Sequence, residues 1–201
     1  MKKYLIIGII FIILFLIISV YNHFIGLTSI DNFVYTLILK TYTPVTTMMM
    51  NGITFFGSRS FFVSVGIIVL WYPKVILKDK LAVLITVAIV ATSSFLLKYL
   101  FLIERPDVYR LVEVTGYSFP SNHATASMAL YTIITLLVLE RIKNTKLRLL
   151  TKVLVTIPIL VGVSRVYLGV HYFSDVIAGW SLAIGVAFIV YYISKAIKLK
   201  A

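Results

Sequence analysis

The sequence predicts an all-α polytopic membrane protein, with six transmembrane helices in one bundle and a single domain spanning residues 1–201. Three observations lead there. First, 61% of the 201 residues are hydrophobic and 13% are charged, with a mean hydropathy of +1.04. A soluble domain carries roughly 45–50% apolar and about 25% charged residues, and a compact fold of this size could not hide so much hydrocarbon from water. Second, long apolar runs without charge recur along the chain. Third, the basic residues divide unevenly between the two sides of the layout these runs create.

The runs are taken in order. Tyr4–Val20 follows Lys2 and Lys3 and lacks a small-residue cleavage site, because Tyr21, Asn22, His23 and Phe24 come next; it reads as an uncleaved first span. Ser60–Pro73 is a short second run ending in the interfacial pair Trp71 and Tyr72. Leu81–Leu97, Ala124–Leu139, Leu147–Val163 and Val176–Ser194 are the third to sixth. In the fifth, Arg148 and Lys152 sit near one end, where they can snorkel to the interface. Only helices or closed barrels can cross lipid, and runs this long are not barrel strands. Thr28–Gly57, with Asp31, Lys40, Pro44 and the Met48–Met50 run, reads as one or two interfacial helices. The alternative is a second span beginning near Thr47, which places Arg59 close to mid-bilayer at a cost of at least a few kcal/mol.

Six spans put both termini on one side. Of the 19 Lys and Arg residues, the Lys2 side holds Lys2, Lys3, Lys74, Lys78, Lys80, Arg141, Lys143, Lys146, Arg148, Lys152, Lys195, Lys198 and Lys200. The other side holds Lys40, Arg59, Lys98, Arg105, Arg110 and Arg165. The richer side is cytoplasmic by the positive-inside rule. The net charge of +12 is thereby accounted for without a nucleic-acid partner. With no Cys in the chain, disulfides and thiolate metal sites are excluded.

Three outer clusters of polar residues need a reason. In Lys98–Pro106 two cations stand seven residues apart, about two helical turns, so Lys98 and Arg105 share a face if the helix continues. Taken alone, they read first as cations snorkelling to headgroups. In Phe119–His123, Ser121 is an N-cap candidate before the fourth span, whose free N–H groups suit a phosphate; an ordinary capped helix with an incidental His is the plain alternative. In Ser164–Asp175, His171 and Asp175 are four apart, one face of a helix. A carboxylate there can hold one imidazole nitrogen and leave the other as an oriented nucleophile or base, or the two can form a merely structural pair. All three clusters fall on the same outer side of a topology derived without them. Together they supply two His, one Asp and three cations, which suits a bound phosphate dianion.

At these residues the chain resembles the type 2 phosphatidic acid phosphatases, the membrane branch of a superfamily shared with the vanadium haloperoxidases. The family motif K-x6-R-P, P-S-G-H, S-R-x5-H-x3-D reads here as Lys98…Arg105-Pro106, Pro120-Ser121-Asn122-His123 and Ser164-Arg165…His171…Asp175. Asn122 replaces the usual Gly; Asn tolerates left-handed backbone angles better than other non-Gly residues, so the turn is expected to survive. The resemblance implies that His171 attacks phosphorus, that Asp175 orients it, and that His123 protonates the leaving group and then activates water. It implies that Lys98, Arg105, Arg165, Ser121 and Asn122 bind the phosphoryl oxygens, and that neither a metal nor another cofactor is needed. The outer acids Asp31, Glu104, Asp107, Glu113 and Asp175 form no compact set in the sequence; Glu104, Asp107 and Glu113 are expected to face away from phosphate or to pair with Arg110 or Lys40. His23 reads as interfacial.

The activity the resemblance implies is hydrolysis of a membrane lipid phosphate at the outer face, phosphatidylglycerophosphate and undecaprenyl diphosphate being the two candidates. A lipid phosphotransferase using a diphosphate donor, and a non-catalytic lipid carrier, are the rivals. A carrier needs the cations but not two His. The sequence leaves the oligomeric state open.

Overall fold

A computed structural model describes residues 1–25, 29–73, 75–107 and 109–197. Thr28, Lys74, Lys198 and Lys200 lie outside the described residues, as do the side chains of Lys146 and Lys152. Among the described residues the secondary structure is entirely helical: α1 Lys2–Ile25, α2 Ser29–Leu39, α3 Pro44–Phe55, α4 Arg59–Trp71, α5 Leu77–Phe101, α6 Asn122–Arg141, α7 Thr145–Tyr167 and α8 Phe173–Ala196.

Each apolar run expected to span coincides with a helix, but the helices differ in what they can cross. Helices α1, α5, α6 and α8 are long and apolar enough to traverse a bilayer. Helix α4 has 13 residues and rises only about 20 Å, short of a hydrocarbon core of about 30 Å. It meets the requirement only together with α3, from which it is bent by 40°. Pro44–Phe55 and Arg59–Trp71 form a bent helix pair, with Arg59 at the break. Helix α7 has 23 residues with Pro158 inside it, and its described apolar part runs over Val153–Tyr167. Among the described residues four helices, or five spans if the bent pair is one, satisfy length and apolarity.

Helix α8 is the axis of the bundle. Ala178, Leu182, Ala183, Val186 and Ala187 are buried along it, packed among buried residues of α1, α5 and α6 such as Phe15, Val90, Met128 and Ile133. Small residues allow the closest approach: a Cβ on Gly8 of α1 would lie 3.0 Å from the Gly185 carbonyl, and one on Gly185 would lie 3.0 Å from that of Gly8. On α7, a Cβ on Gly162 would meet the Trp180 ring at 2.3 Å. Outward faces of α1 and α4 expose Ile, Leu, Val and Phe, as lipid contact requires.

At the end of the bundle away from the three clusters, buried Asp79 at the start of α5 pairs with Arg141 of α6 and lies 3.7 Å from Lys195 of α8. Lys195 also pairs with Glu140 at 2.5 Å. This ties three helix ends together. Replacement of Gly185 by Val forces α1 from α8 and is expected to cost roughly 1–3 kcal/mol, read as a lower thermal unfolding temperature in detergent.

Candidate active site

The three clusters meet at one end of the bundle, built from the loop after α5, the start of α6, the end of α7 and the start of α8. The manner of their meeting differs from simple helical periodicity. Helix α5 stops at Phe101, with Leu102 in the left-handed region at φ 52°. Lys98 and Arg105 therefore share no helical face; the loop carries Arg105 back. The buried Lys98 ammonium donates to the carbonyls of Tyr117, Ser118 and Pro120 at 2.7, 3.0 and 3.0 Å. All three of its protons are thus spent on fixing the segment before α6. Arg105 fastens the same loop: Nε donates to Gly116 O at 2.8 Å, Nη2 to Thr115 O at 3.2 Å and Nη1 to Val170 O at 2.8 Å.

Gly169 is essential to this arrangement. It adopts φ 69°, and a Cβ there would sit 1.7 Å from the Tyr109 carbonyl oxygen. The long loop can thus lie directly on the α7–α8 turn, where Leu111 N–H donates to Leu168 O at 3.1 Å.

His171 precedes α8 rather than lying in it, so its pairing with Asp175 is not the four-residue spacing of a helix. Asp175 occupies the third helical position and reaches back over the helix start. Its Oδ2 accepts from Tyr172 N–H at 2.9 Å, from the Ser118 hydroxyl, and from His171 Nδ1 at 3.3 Å. Arg105 Nη1 stands 3.2 Å from His171 Nε2. A guanidinium can only donate, so Nε2 is the accepting nitrogen and Nδ1 carries the proton facing Asp175. His171 is 3% exposed. Burial first, then the charges of Lys98, Arg165 and Arg105, hold its imidazole well below the ordinary histidine range. It is a neutral ring with an oriented lone pair.

Arg165, at the end of α7, is 4% exposed. Its Nη1 donates to the Thr54 hydroxyl of α3 at 2.9 Å, while its Nε has no partner among the described residues. Ser164 bonds its own helix at Val161 O, 2.7 Å away. His123 begins α6 within electrostatic reach of Arg165, Arg105, Lys98 and also Arg59. Ser121 does occupy the N-cap of α6, yet its hydroxyl makes no capping bond; that oxygen and Asn122 Oδ1 are buried and without a partner among the described residues. Asn122 is the first helical residue, and Leu102 is the one non-Gly residue described with positive φ. The left-handed angle anticipated for Asn122 is therefore not required, and substitution of Gly by Asn costs no backbone strain.

Of the predicted site residues, His171, Asp175, Lys98, Arg105, Arg165, His123, Ser121 and Asn122 thus fall in one neighbourhood. Ser118 was not anticipated. Its signal was available only in its place three residues before Ser121, since a lone Ser has no distinguishing chemistry. Asp31 of α2 was taken for one acid among five; its Oδ1 accepts from Ser174 N–H at 2.7 Å, capping α8 from outside. Glu104, Asp107 and Glu113 are exposed, and Asp107 lies 3.7 Å from Arg110. His23 is exposed, edge-on to Phe101. Among the described residues no three His, Asp or Glu side chains cluster as a metal site would need.

Membrane-buried helices converging on two imidazoles, a carboxylate and fixed cations define a phosphoryl-transfer enzyme of the bilayer. Comparison with known proteins agrees. A profile of the PAP2 superfamily matches residues 79–198. Phosphatidylglycerophosphatase B of Bacillus subtilis is 29% identical over 190 residues, 92% of this chain and 93% of that one. The crystal structure of the PAP2-type phosphatidylglycerolphosphate phosphatase of Bacillus subtilis superposes with a TM-score of 0.82 at 29% identity, over 95% of this chain and 97% of the other. Aquifex aeolicus LpxE shares the fold, with a TM-score of 0.68 at 20% identity over 82% of this chain and 96% of its own. The chain belongs to the PAP2 superfamily and is a membrane-embedded lipid phosphate phosphatase.

Two outcomes are expected from this geometry. Ser118→Ala removes a hydrogen bond to a buried carboxylate and lowers kcat roughly 10- to 100-fold with little change in KM, read by steady-state hydrolysis in detergent. Second, His171 is neutral when folded but has a value near 6.5 when unfolded. As pH falls below about 6.5 the unfolded chain binds a proton that the folded one refuses, so stability drops. His171→Asn should flatten that acid-side loss in thermal unfolding.

Proposed function

We propose that the enzyme hydrolyses phosphatidylglycerophosphate or undecaprenyl diphosphate through a phosphohistidine at His171, on the extracytoplasmic side of the cell membrane. What carries this reading is the His171 ring: Nδ1 is turned to Asp175 and the Nε2 lone pair is presented beside Arg105. A nucleophile needs that tautomer, whereas a carrier needs no oriented lone pair.

In the first step Nε2 attacks phosphorus in line with the leaving oxygen. The P–N bond forms, the P–O bond breaks, and His123, protonated once the negative charge of the bound phosphate offsets the surrounding cations, gives its proton to the departing oxygen. Arg105 Nη1 passes from Nε2 to a phosphoryl oxygen as the bond forms. Asp175 steadies the positive charge that grows on the ring. In the second step neutral His123 takes a proton from water, the water oxygen bonds to phosphorus and the P–N bond breaks. Inorganic phosphate leaves, and both His residues regain their starting states. Arg165 Nε, Ser121 Oγ and the N–H groups opening α6 supply further contacts to the phosphoryl oxygens. Lys98 acts through its charge, since its protons are already committed.

The relatives named for phosphatidylglycerophosphate support that substrate first. The topology proposed is six spans, counting α7 and the broken α3–α4 pair, with both termini cytoplasmic; the bias of Lys and Arg toward the Lys2 side supports it.

His171→Ala is expected to abolish release of inorganic phosphate from phosphatidylglycerophosphate, with EDTA present throughout. His123→Ala is expected to slow release by about 10²–10⁴ and, with an ester of a good leaving group, to accumulate acid-labile phosphate on His171. Full activity in both variants would rule the mechanism out, and transfer of labelled phosphate to a second lipid would identify a phosphotransferase.

A further inference from the structure

Resting on the hydrolytic reading above, we infer that Arg59 binds a second phosphate, carried by the leaving group of the substrate, and so selects lipids bearing two phosphates. The wall of the site opposite the long loop is the break between α3 and α4. Thr54, in the last turn of α3, accepts from Arg165 at 2.9 Å. Gly57, in the break itself, is buried, and a Cβ there would lie 3.1 Å from His123 Cβ and 2.6 Å from Val161 Cγ1. The backbone leading to Arg59 is therefore pressed against the proposed general acid. Arg59 is the first residue of α4, exposed, and close enough for its charge to act on His123.

Its engagement differs from that of the other cations of the site. Lys98 and Arg105 are tied to loop carbonyls, and Arg165 is buried with Nη1 on Thr54. None of the ion pairs among the described residues involves Arg59. It sits at the kink of a pair of helices that must act together to cross the bilayer. An unpaired guanidinium at such a place is expensive unless it faces water or an anion, and the break that carries it packs against His123. His123 delivers a proton to the departing oxygen, so its side of the pocket is the leaving-group side. A cation there meets nothing when the leaving group is a neutral diacylglycerol. It meets a charge when the leaving group is itself a phosphate, as in a diphosphate, or carries one through glycerol, as in phosphatidylglycerophosphate.

The test compares kcat/KM for phosphatidylglycerophosphate and undecaprenyl diphosphate with that for phosphatidate, in the full-length protein in detergent. For Arg59→Gln the ratio of each two-phosphate substrate to phosphatidate is expected to fall roughly 10- to 100-fold, mostly through KM; Arg59→Lys, which keeps the charge, is expected to retain most of the ratio. A fall for only one of the two substrates identifies which spacing between phosphates Arg59 reads. An unchanged ratio in Arg59→Gln, or an equal loss on all three lipids, overturns the assignment while leaving the phosphatase mechanism standing. That mechanism is tested separately by His171→Ala on phosphatidate.

Discussion

A carboxylate buried at the head of a membrane helix has to be answered by donors, and Asp175 is where the site is assembled. It is 1% exposed, and one of its oxygens gathers the Ser118 hydroxyl, the Tyr172 N–H and the His171 ring. Those partners come from two stretches of chain separated by the whole of α6 and α7. Its main-chain oxygen also takes Ser121 N–H at 3.3 Å, joining the heads of α6 and α8. The helix N-terminus adds a favourable field for the negative charge. Without that carboxylate, the loop after α5 would lose its deepest anchor and the imidazole its tautomer.

The helices and the residues of the site were legible in the sequence to different depths. Charge-free runs marked each long helix because lipid enforces apolarity over a full crossing. The imidazoles, the carboxylate and the cations stood out because buried charge is rare in such a chain. What could not be read was backbone detail. Leu102 ends α5 in a left-handed turn although Leu has no preference for one, so the seven-residue spacing of Lys98 and Arg105 misled. Ser121 has the right residue type for a cap but turns its hydroxyl elsewhere. The run Ser60–Pro73 looked like a short span because the break at Gly57 interrupts a longer one, and its reason, contact with His123, lies 66 residues on in the chain.

Residues between α1 and α4, the least interpretable stretch in one dimension, buttress the site in three. Asp31 caps α8 close to His171. Thr46 and Thr47 hydroxyls both lie 2.8 Å from the Tyr167 hydroxyl, and Tyr42 donates to the Tyr167 carbonyl at 2.7 Å. Burial first, and then neighbouring tyrosines, push Tyr42 up to about 12, so it remains a neutral donor at any physiological pH. These contacts bind α2 and α3 to the end of α7, which places Thr54 on Arg165. Helices α2 and α3 thereby hold the Arg165 side chain in place.

Saturation of Lys98 divides electrostatics from hydrogen bonding within one side chain. A compact ammonium can point its protons at three carbonyls arranged around it, and those carbonyls belong to the segment that leads into α6. A guanidinium spreads its donors in a flat fork and would leave at least one of these oxygens stranded. Charge conservation is therefore not the criterion at this position: the site tolerates one shape of cation, and lysine is a structural specification before it is an electrostatic one.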